Sequence, residues 1–182
     1  DFMTPELVFA YSSGENDDPD DGSERMPVLD NDGGWYVGSF FFGGGNLLQD
    51  DMNAGEGGRV LGFWTLALQL KDISFIEKFS HDLYFVYAKG TNDKDLLDNW
   101  NSNFDPGGSI AYGRTLFEDD YIIEVSMGNE YQIYEELSAF LDLGWVYGHF
   151  DEDTWENYSA NPGTYGGMEQ SWKASLGAKY SF

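Results

Sequence analysis

The sequence predicts an all-β fold, an antiparallel transmembrane β-barrel of which this chain supplies about six or seven strands. Three observations support this fold class. Apolar residues recur with a period of 2 rather than 3.6. The alternating segments run for about 9 to 13 residues, whereas a tilted spanning strand needs roughly 9 to 11 and globular strands average about 5 or 6. Short and long connections alternate along the chain, which is typical of outer-membrane barrels.

Composition excludes several classes of function. The 182 residues include 33 acidic and 9 basic side chains, a net charge of -24. This balance excludes nucleic acid as a partner, because such binding requires Lys and Arg to neutralise phosphates. The absence of cysteine excludes disulfides, thiolate metal sites and a cysteine nucleophile. Aromatic residues make up 18% of the chain, which indicates a folded protein rather than a disordered acidic one.

Three segments in the first half of the chain alternate apolar with polar or small residues, over residues 5–13, 59–72 and 79–90. The side chains that share their predicted outer face are Leu7, Phe9, Tyr11, Val60, Trp64, Leu66, Leu68, Leu70, Leu83, Phe85 and Tyr87. Successive side chains of a strand point to opposite faces. Each segment is therefore predicted to cross a membrane once, with this face toward lipid.

Three further segments, 119–132, 137–148 and 168–182, show the same pattern, and the last one alternates at every position from Ser171 to Phe182. Their outer face carries Tyr121, Ile123, Val125, Met127, Tyr131, Leu137, Ala139, Leu141, Leu143, Trp145, Tyr147, Trp172, Ala174, Leu176, Ala178 and Tyr180. Tyrosine and tryptophan side chains gather near the strand ends, where the interfacial girdles of a spanning barrel lie.

The connections predict the orientation of the strands. Residues 73–80 and 133–136 form short connections, whereas 14–58, 91–118 and 149–167 are long, acidic loops that we assign to the outside. Six strands do not close a barrel, since the smallest have about eight. Residues 1–182 are therefore expected to be the C-terminal part of one barrel domain, completed by N-terminal strands of the same protein. Segment 35–42 is open to three interpretations: a strand within its loop, a segment folded into the pore, or a seventh crossing.

The end of the chain resembles the C-terminal signal read by the outer-membrane assembly machinery, through Ser175, Gly177, Tyr180 and Phe182. Together with "TPELVFAYSSGENDDPDDGSERMP", "KDISFIEKFSHDLYFVYAKGTND", "EYQIYEELSAFLDLGWV" and "DEDTW", the sequence resembles the C-terminal portion of the outer-membrane homotrimeric porins of sulfate-reducing bacteria. The resemblance implies a water-filled channel for passive diffusion of small hydrophilic solutes and ions, not an enzyme. It also implies a homotrimer in contact with outer-membrane lipid and lipopolysaccharide.

Strand alternation places six polar residues on the predicted inner face of the barrel. These candidate pore-lining residues are Gln69, Lys71, Glu124, Asp142, Lys173 and Lys179. Pore width and lining charge determine which solutes a channel passes. Two interpretations are open for each residue: it contributes to a transverse field, or it only keeps the lumen hydrated.

No cofactor is predicted, although the acidic stretch "ENDDPDDG" leaves a loop-bound Ca²⁺ open. Asn16, Asp18 and Asp20 have alternating spacing, but Asp21 occupies the position where an EF-hand requires glycine, and Gly22 comes one place late. A solvated acidic loop is favoured, with divalent cations bridging it to lipopolysaccharide phosphates as the alternative. The two histidines, His81 and His149, lie near predicted strand ends and are interpreted as interfacial side chains rather than catalytic bases.

The alternative class is a secreted or surface acidic β-sandwich that binds glycans through Trp35, Trp100 and Trp155 in its loops. The two classes differ in where the apolar face of the strands goes. A sandwich buries this face against a second sheet, and a barrel turns it toward lipid.

Overall fold

The computed structural model describes residues 2–18, 24, 62–98, 115–156 and 166–182. These residues form one six-stranded antiparallel sheet in which the strands follow sequence order. The strands are β1 (Thr4–Tyr11), β2 (Phe63–Ile76), β3 (Phe79–Gly90), β4 (Tyr121–Tyr134), β5 (Leu137–Phe150) and β6 (Gly167–Tyr180). The prediction of an all-β, antiparallel fold is confirmed. Predicted segment 35–42 lies outside the described residues.

Helical structure in the described ranges amounts to two short turns. A 3₁₀ helix covers Lys94–Leu97, and α1 covers Glu152–Trp155. Asp151 caps α1, because its carboxylate accepts the backbone N–H of Thr154 at 2.9 Å. Within the described ranges, no helix is long and apolar enough to cross a membrane.

The strands are long and paired over almost their full length. Four of them contain 14 residues, and β4 stays in register with β5 from Tyr121 opposite His149 to Gln132 opposite Ser138, after which one shift precedes the pairing of Tyr134 with Leu137. At roughly 3.3 Å per residue, a strand of this length extends for about 45 Å. The strands are therefore long enough to cross a bilayer obliquely and to project beyond it.

The connection between β2 and β3 is shorter than predicted. The sequence places it over 73–80, but β2 continues to Ile76 and only Glu77 and Lys78 form the turn. Strand β2 continues because a bulge absorbs one residue at Asp72, whose φ is 59°. The N–H of Asp72 donates to Oδ1 of Asp82 at 2.9 Å, which holds this left-handed residue against the neighbouring strand.

The two faces of the sheet differ sharply. One, which we call the apolar face, exposes large hydrophobic side chains on every strand: Leu7, Phe9, Leu66, Leu68, Phe85, Ile123, Val125, Leu141, Leu143, Trp145, Trp172 and Leu176. The other, the polar face, buries Thr65, Gln69, Glu124, Ser126 and Asp142. A sheet of a water-soluble protein has the reverse arrangement, since it buries its apolar face and hydrates its polar one.

The main hydrophobic cluster lies on the polar-face side, at the end of the sheet that carries the long connections, which we call the loop end. Its buried members are Phe63, Ala88, Leu96, Leu97, Leu116, Phe117, Ile122, Phe150 and Trp155. Four of them belong to strands β2 to β5, and the others come from residues that follow β3, precede β4 or follow β5. Parts of the predicted external loops 91–118 and 149–167 are therefore packed against the sheet.

The sheet is open in the part of the chain that the structure describes. Strand β1 pairs with β2 alone, and β6 pairs with β5 alone. The unpaired edges of β1 and β6 therefore present rows of backbone N–H and C=O groups. Closure into a transmembrane barrel, the finer part of the predicted fold class, stays a prediction.

Candidate pore-lining face

The structure places all six predicted pore-lining residues on the polar face. Gln69 and Asp142 are buried near the middle of β2 and β5, and Glu124 is buried closer to the loop end of β4. Lys173 and Lys179 lie on β6, opposite Gly144 and Ser138 of β5. The remaining residue is Lys71 of β2. The lining role of the six residues remains a prediction, and their common face follows from the strand register.

Lys71 forms an ion pair across the first two strands. Its Nζ atom lies 2.8 Å from Oε2 of Glu6, and both side chains are partly exposed. An exposed pair of this kind contributes about 0.2–1 kcal/mol to stability, because solvent screens it. Its main effect is therefore to place one positive and one negative charge side by side on the polar face.

Two carboxylates lie on either side of a glycine in the middle of the polar face. Gly128 of β4 is paired with Asp82 of β3 and with Asp142 of β5. A Cβ atom at Gly128 would lie 3.3 Å from Oδ1 of Asp142. Tyr84 donates its hydroxyl to Oδ2 of Asp82 at 3.3 Å, and Ser175 donates to Oδ2 of Asp142 at 3.2 Å. The small residue thus leaves room for a band of negative charge across β3 to β5.

Glu124 is the most deeply buried of the predicted lining residues. Its Oε1 atom accepts the hydroxyl of Ser126, two residues along β4, at 2.7 Å. Ionised groups are costly to bury unless they are hydrogen-bonded. The serine therefore helps to stabilise a carboxylate on the polar face.

Charged residues of the described strands are confined almost entirely to the polar face. Those that alternation and register place there are Glu6, Lys71, Asp82, Glu124, Glu130, Asp142, Glu169, Lys173 and Lys179. The exceptions are Asp72, at the bulge, and Lys89, near the loop end of β3. The central part of the apolar face therefore carries no charge on any of the six strands.

Aromatic rings border the apolar face at both ends. Near the loop end, Trp64, Tyr87, Tyr121 and Tyr147 form a row across β2 to β5, with successive ring centroids 5.2, 6.0 and 6.2 Å apart. At the opposite end, which we call the turn end, Phe79 contacts Tyr131 at 6.1 Å and Tyr180 contacts Phe182 at 5.2 Å.

The distance between the two aromatic rows can be compared with the height of the apolar band of a membrane barrel. Tyr121 and Tyr131 occupy positions i and i+10 of β4, roughly 33 Å apart along an extended strand. For comparison, strands of outer-membrane barrels are tilted by about 35–45°, and a tilt of about 40° would reduce this separation to about 25 Å, the height of their apolar band.

Both histidines lie on the apolar face near strand ends. Nδ1 of His81 is 2.7 Å from Oδ1 of Asn129, and the amide of Asn129 donates to the carbonyl of Leu141 at 2.8 Å. Because an amide oxygen accepts, this contact assigns the proton to Nδ1 of His81. His149 stacks on Tyr121 with centroids 5.1 Å apart. Both histidines lie near strand ends, as the sequence predicted, and their interfacial role stays a prediction.

The residues of the predicted assembly signal have local structural roles. A Cβ atom at Gly177 would overlap Cζ of Phe140, whose ring lies over this glycine from the adjacent strand. Ser181 donates its N–H to the carbonyl of Glu136 at 2.8 Å, which ties the end of β6 to the β4–β5 turn. Phe182 is exposed. The need for glycine at Gly177 is thus a packing requirement that alternation alone did not reveal.

Two buried polar residues at the loop end were missed by the sequence analysis. Asp120 is fully buried and accepts the N–H of Phe117 at 2.9 Å, the N–H of Asp151 at 2.7 Å and Nε1–H of Trp155 at 2.9 Å. Burial raises the pKa of Asp120 above its ordinary value, and these three hydrogen bonds oppose the shift. The Asp-x-x-Thr capping pattern from Asp151 was the available signal for a helix that brings Trp155 to this carboxylate.

Asn92 is the second buried polar residue. Its Oδ1 atom accepts the N–H of Glu15 at 3.0 Å, and its amide donates to the carbonyl of Leu116 at 2.7 Å. Asn92, which follows β3, therefore links Glu15, which follows β1, to Leu116 near the end of the β3–β4 connection. Nothing in the alternation pattern marks this asparagine.

The described acidic residues do not assemble a metal centre. The N–H of Asp18 donates to Oδ1 of Asn16 at 2.9 Å, so this oxygen serves a local turn. Among the residues that the structure describes, no group of three or more His, Cys, Asp or Glu side chains is arranged to hold a metal ion. Asp20, Asp21 and Gly22 lie outside the described residues.

One of the three tryptophans expected to bind glycans in the alternative class is not exposed. Trp155 is completely buried against Phe117 and Phe150, and its indole N–H is bonded to Asp120. It is therefore not an exposed aromatic platform. Trp35 and Trp100 lie outside the described residues.

Comparison with protein-family models, with curated proteins and with solved structures finds no match for this chain. The class of protein is therefore inferred from the two faces of the sheet.

Proposed function

We propose that this chain forms part of the wall of an outer-membrane porin, a water-filled channel for passive diffusion of small hydrophilic solutes and ions. The single observation that carries the proposal is the inverted sheet. Its apolar face is exposed and carries no charge in its central part, while its polar face carries nearly all the charges of the strands. This arrangement suits a strand wall with lipid on one side and water on the other.

The exposed apolar face argues against a water-soluble monomer. Leu7, Trp172 and Leu176 are 69%, 77% and 77% exposed. Each large side chain left in water forgoes about 1.5–3 kcal/mol of burial free energy. Soluble monomers rarely expose contiguous apolar patches larger than a few hundred Å². Contact with hydrocarbon tails removes this cost across all six strands.

The open edges of the sheet imply further strands. In lipid, each unsatisfied backbone group along the edges of β1 and β6 would cost several kcal/mol. We propose that the remaining N-terminal strands of the same porin pair with these edges and close the barrel. A closed barrel of this class has at least about eight strands.

The charges of the polar face support a preference for cations. Acidic residues on this face outnumber basic ones: Glu6, Asp82, Glu124, Glu130, Asp142 and Glu169 stand against Lys71, Lys173 and Lys179. Lining charges of one sign raise the local concentration of the opposite ion. The channel is therefore proposed to favour cations modestly.

The remaining parts of the proposal follow from the sequence resemblance. The protein is proposed to assemble as a homotrimer in the bacterial outer membrane, guided by the assembly machinery and in contact with lipopolysaccharide. The turns at Glu77–Lys78 and Glu135–Glu136 would face the periplasm, and the long loops would face outward.

Single-channel recording tests the proposal. The full-length protein, extracted in detergent, is added to one side of a planar lipid bilayer in KCl. We expect discrete conductance steps that increase with salt concentration and a reversal potential that indicates cation preference. A protein that stays in aqueous buffer without detergent and produces no steps would contradict the porin assignment.

A further inference from the structure

Several segments at the loop end form one packed layer, which we call the loop shelf. It consists of residues 12–15, 91–97, 116–120 and 151–155. Hydrogen bonds join its parts: the Thr91 hydroxyl donates to the carbonyl of Ser12 at 2.9 Å, Asp93 N–H to the carbonyl of Glu15 at 2.8 Å and Glu118 N–H to the carbonyl of Asn92 at 2.8 Å. The shelf is thus a connected structure rather than a set of independent loops.

The loop shelf lies on the polar-face side of the sheet. Its apolar side chains Leu97, Leu116, Phe117 and Trp155 pack in one cluster with strand residues of the polar face, among them Ile122. Because the polar face is the proposed lumen side, the shelf projects over the channel and not over lipid. In the proposed porin, the shelf would narrow the outer mouth of the channel on this side.

Asp120 holds the two halves of the shelf together. It receives Phe117 N–H from its own connection, and Asp151 N–H and Trp155 Nε1–H from the connection after β5. The ring of Trp155 meets that of Phe117 edge-on, with centroids 5.2 Å apart. Removal of these bonds would separate α1 from residues 116–120 without touching any strand.

The outer surface of the shelf and the adjoining residues is densely acidic. Their exposed charged residues in the described ranges are Asp17, Asp18, Glu24, Lys94, Asp95, Asp98, Glu118, Asp119, Glu152, Asp153 and Glu156. Charges within a Debye length of about 8 Å act on a passing ion at physiological salt. Because the shelf is packed, its carboxylates keep fixed positions relative to an ion that passes through the mouth.

We infer that the loop shelf is the specificity-determining element of the channel: its packed body limits solute size at the outer mouth, its carboxylates favour cations, and Asp120 is its positioning residue. This inference rests on the proposed porin function. Selectivity then depends indirectly on Asp120 and Trp155, which are buried and hold the shelf in place.

The first test neutralises the shelf surface. The variant Glu118→Gln/Asp119→Asn/Glu152→Gln/Asp153→Asn changes exposed residues only, so its fold is preserved. We expect the K⁺/Cl⁻ permeability ratio, measured from reversal potentials in a KCl gradient, to fall by about two-fold or more. The control Glu77→Gln/Glu135→Gln/Glu136→Gln removes three acidic charges from the turn end and should leave the ratio unchanged.

The second test loosens the shelf from within. Trp155→Phe keeps an aromatic ring but removes the N–H donated to Asp120. We expect a larger single-channel conductance, greater open-channel noise and passage of larger neutral polyethylene glycols. The control Trp145→Phe alters the apolar face and should change none of these. A folded Trp155→Phe protein with wild-type conductance and size limit would overturn the positioning role.

The outcomes separate the two proposals. A wild-type protein that never conducts contradicts the porin function itself. A conducting wild type whose permeability ratio is the same in the shelf variant and in the turn-end control contradicts only the assignment of selectivity to the shelf.

Discussion

At the scale of single residues, small and polar side chains decide how the sheet packs. Gly128 leaves space between Asp82 and Asp142, and Gly177 leaves space for the ring of Phe140. Asp120 joins two chain segments through three N–H groups. Gly177 tolerates the least change, because ring atoms of Phe140 occupy the space that a side chain would need, whereas Gly128 faces the side chains of Asp142 and Asp82.

Enlarging Gly177 should destabilise the protein. A side chain there would displace the Phe140 ring, and overpacking of this kind costs about 1–3 kcal/mol. We expect Gly177→Val to lower the midpoint of urea unfolding in detergent micelles. Ala178→Val, one residue along on the exposed apolar face, is the control and should unfold like the wild type.

The stability of the shelf should fall as the pH rises from acid. Burial raises the pKa of Asp120 above its ordinary 3.8, so the folded state binds its proton more tightly than the unfolded state does. The resulting stabilisation is complete below pH 3.8 and is lost as the pH rises through the raised pKa. The rate of limited proteolysis of the loops, followed across this pH range, measures the loss of stability. An Asp120→Asn variant, which does not titrate here, should lack this step; an identical pH profile in both proteins would contradict the assignment.

At the scale of the strands, the alternation of apolar and polar residues determines the polarity of each face of the sheet. The apolar face is continuous because the register places like residues side by side, as in Leu68 with Phe85 and Phe85 with Val125. The bulge at Asp72 preserves this pairing while lengthening β2. The long strands and the terminal aromatic rows are consistent with one crossing per strand.

A cation on the apolar face should cost free energy in proportion to its depth. Val125 lies near mid-height in β4, and Tyr121 lies in the loop-end aromatic row. We expect Val125→Arg to lower the unfolding free energy by about 2–4 kcal/mol in a bilayer, and Tyr121→Arg by about 0–1 kcal/mol. Urea titration in lipid vesicles measures both. Equal, negligible costs would mean that this face meets water instead of lipid.

At the scale of the whole molecule, the described residues leave two kinds of surface for partners to cover, the exposed apolar face and the two open edges of the sheet. In the proposed porin, lipid contacts the exposed face, and further strands pair with the edges of β1 and β6. The loop shelf covers part of the polar face at one end only, so the proposed channel is asymmetric between its outer and inner mouths.

Chemical labelling should distinguish the two faces directly. The chain contains no cysteine, so a maleimide that labels a single introduced thiol meets no competing thiol in the chain. We expect Ser175→Cys, on the polar face, to react with a charged, water-soluble maleimide in the membrane-embedded protein. Ala174→Cys, its neighbour on the apolar face, should react only with a lipid-soluble maleimide. Equal labelling of both by the charged reagent would exclude a membrane-spanning wall.

The sequence predicted most of the sheet but little of its loop end. Strands were predictable because their alternation is local and repeats across residues such as Trp172, Leu176 and Tyr180. The common face of Gln69, Glu124 and Asp142 followed from the same rule. The contacts of Asp120 with Trp155 and of Asn92 with Glu15 join residues far apart in the chain, and no local pattern encodes them.

By itself, the sequence determined the all-β class, the antiparallel order of the strands and the division of their side chains into two faces, because these depend on period and turn spacing alone. The tertiary structure decided the strand register, the bulge at Asp72, the fit of Phe140 over Gly177 and the loop shelf. These features depend on the close packing of side chains that lie far apart in the chain. No local sequence pattern therefore determines them.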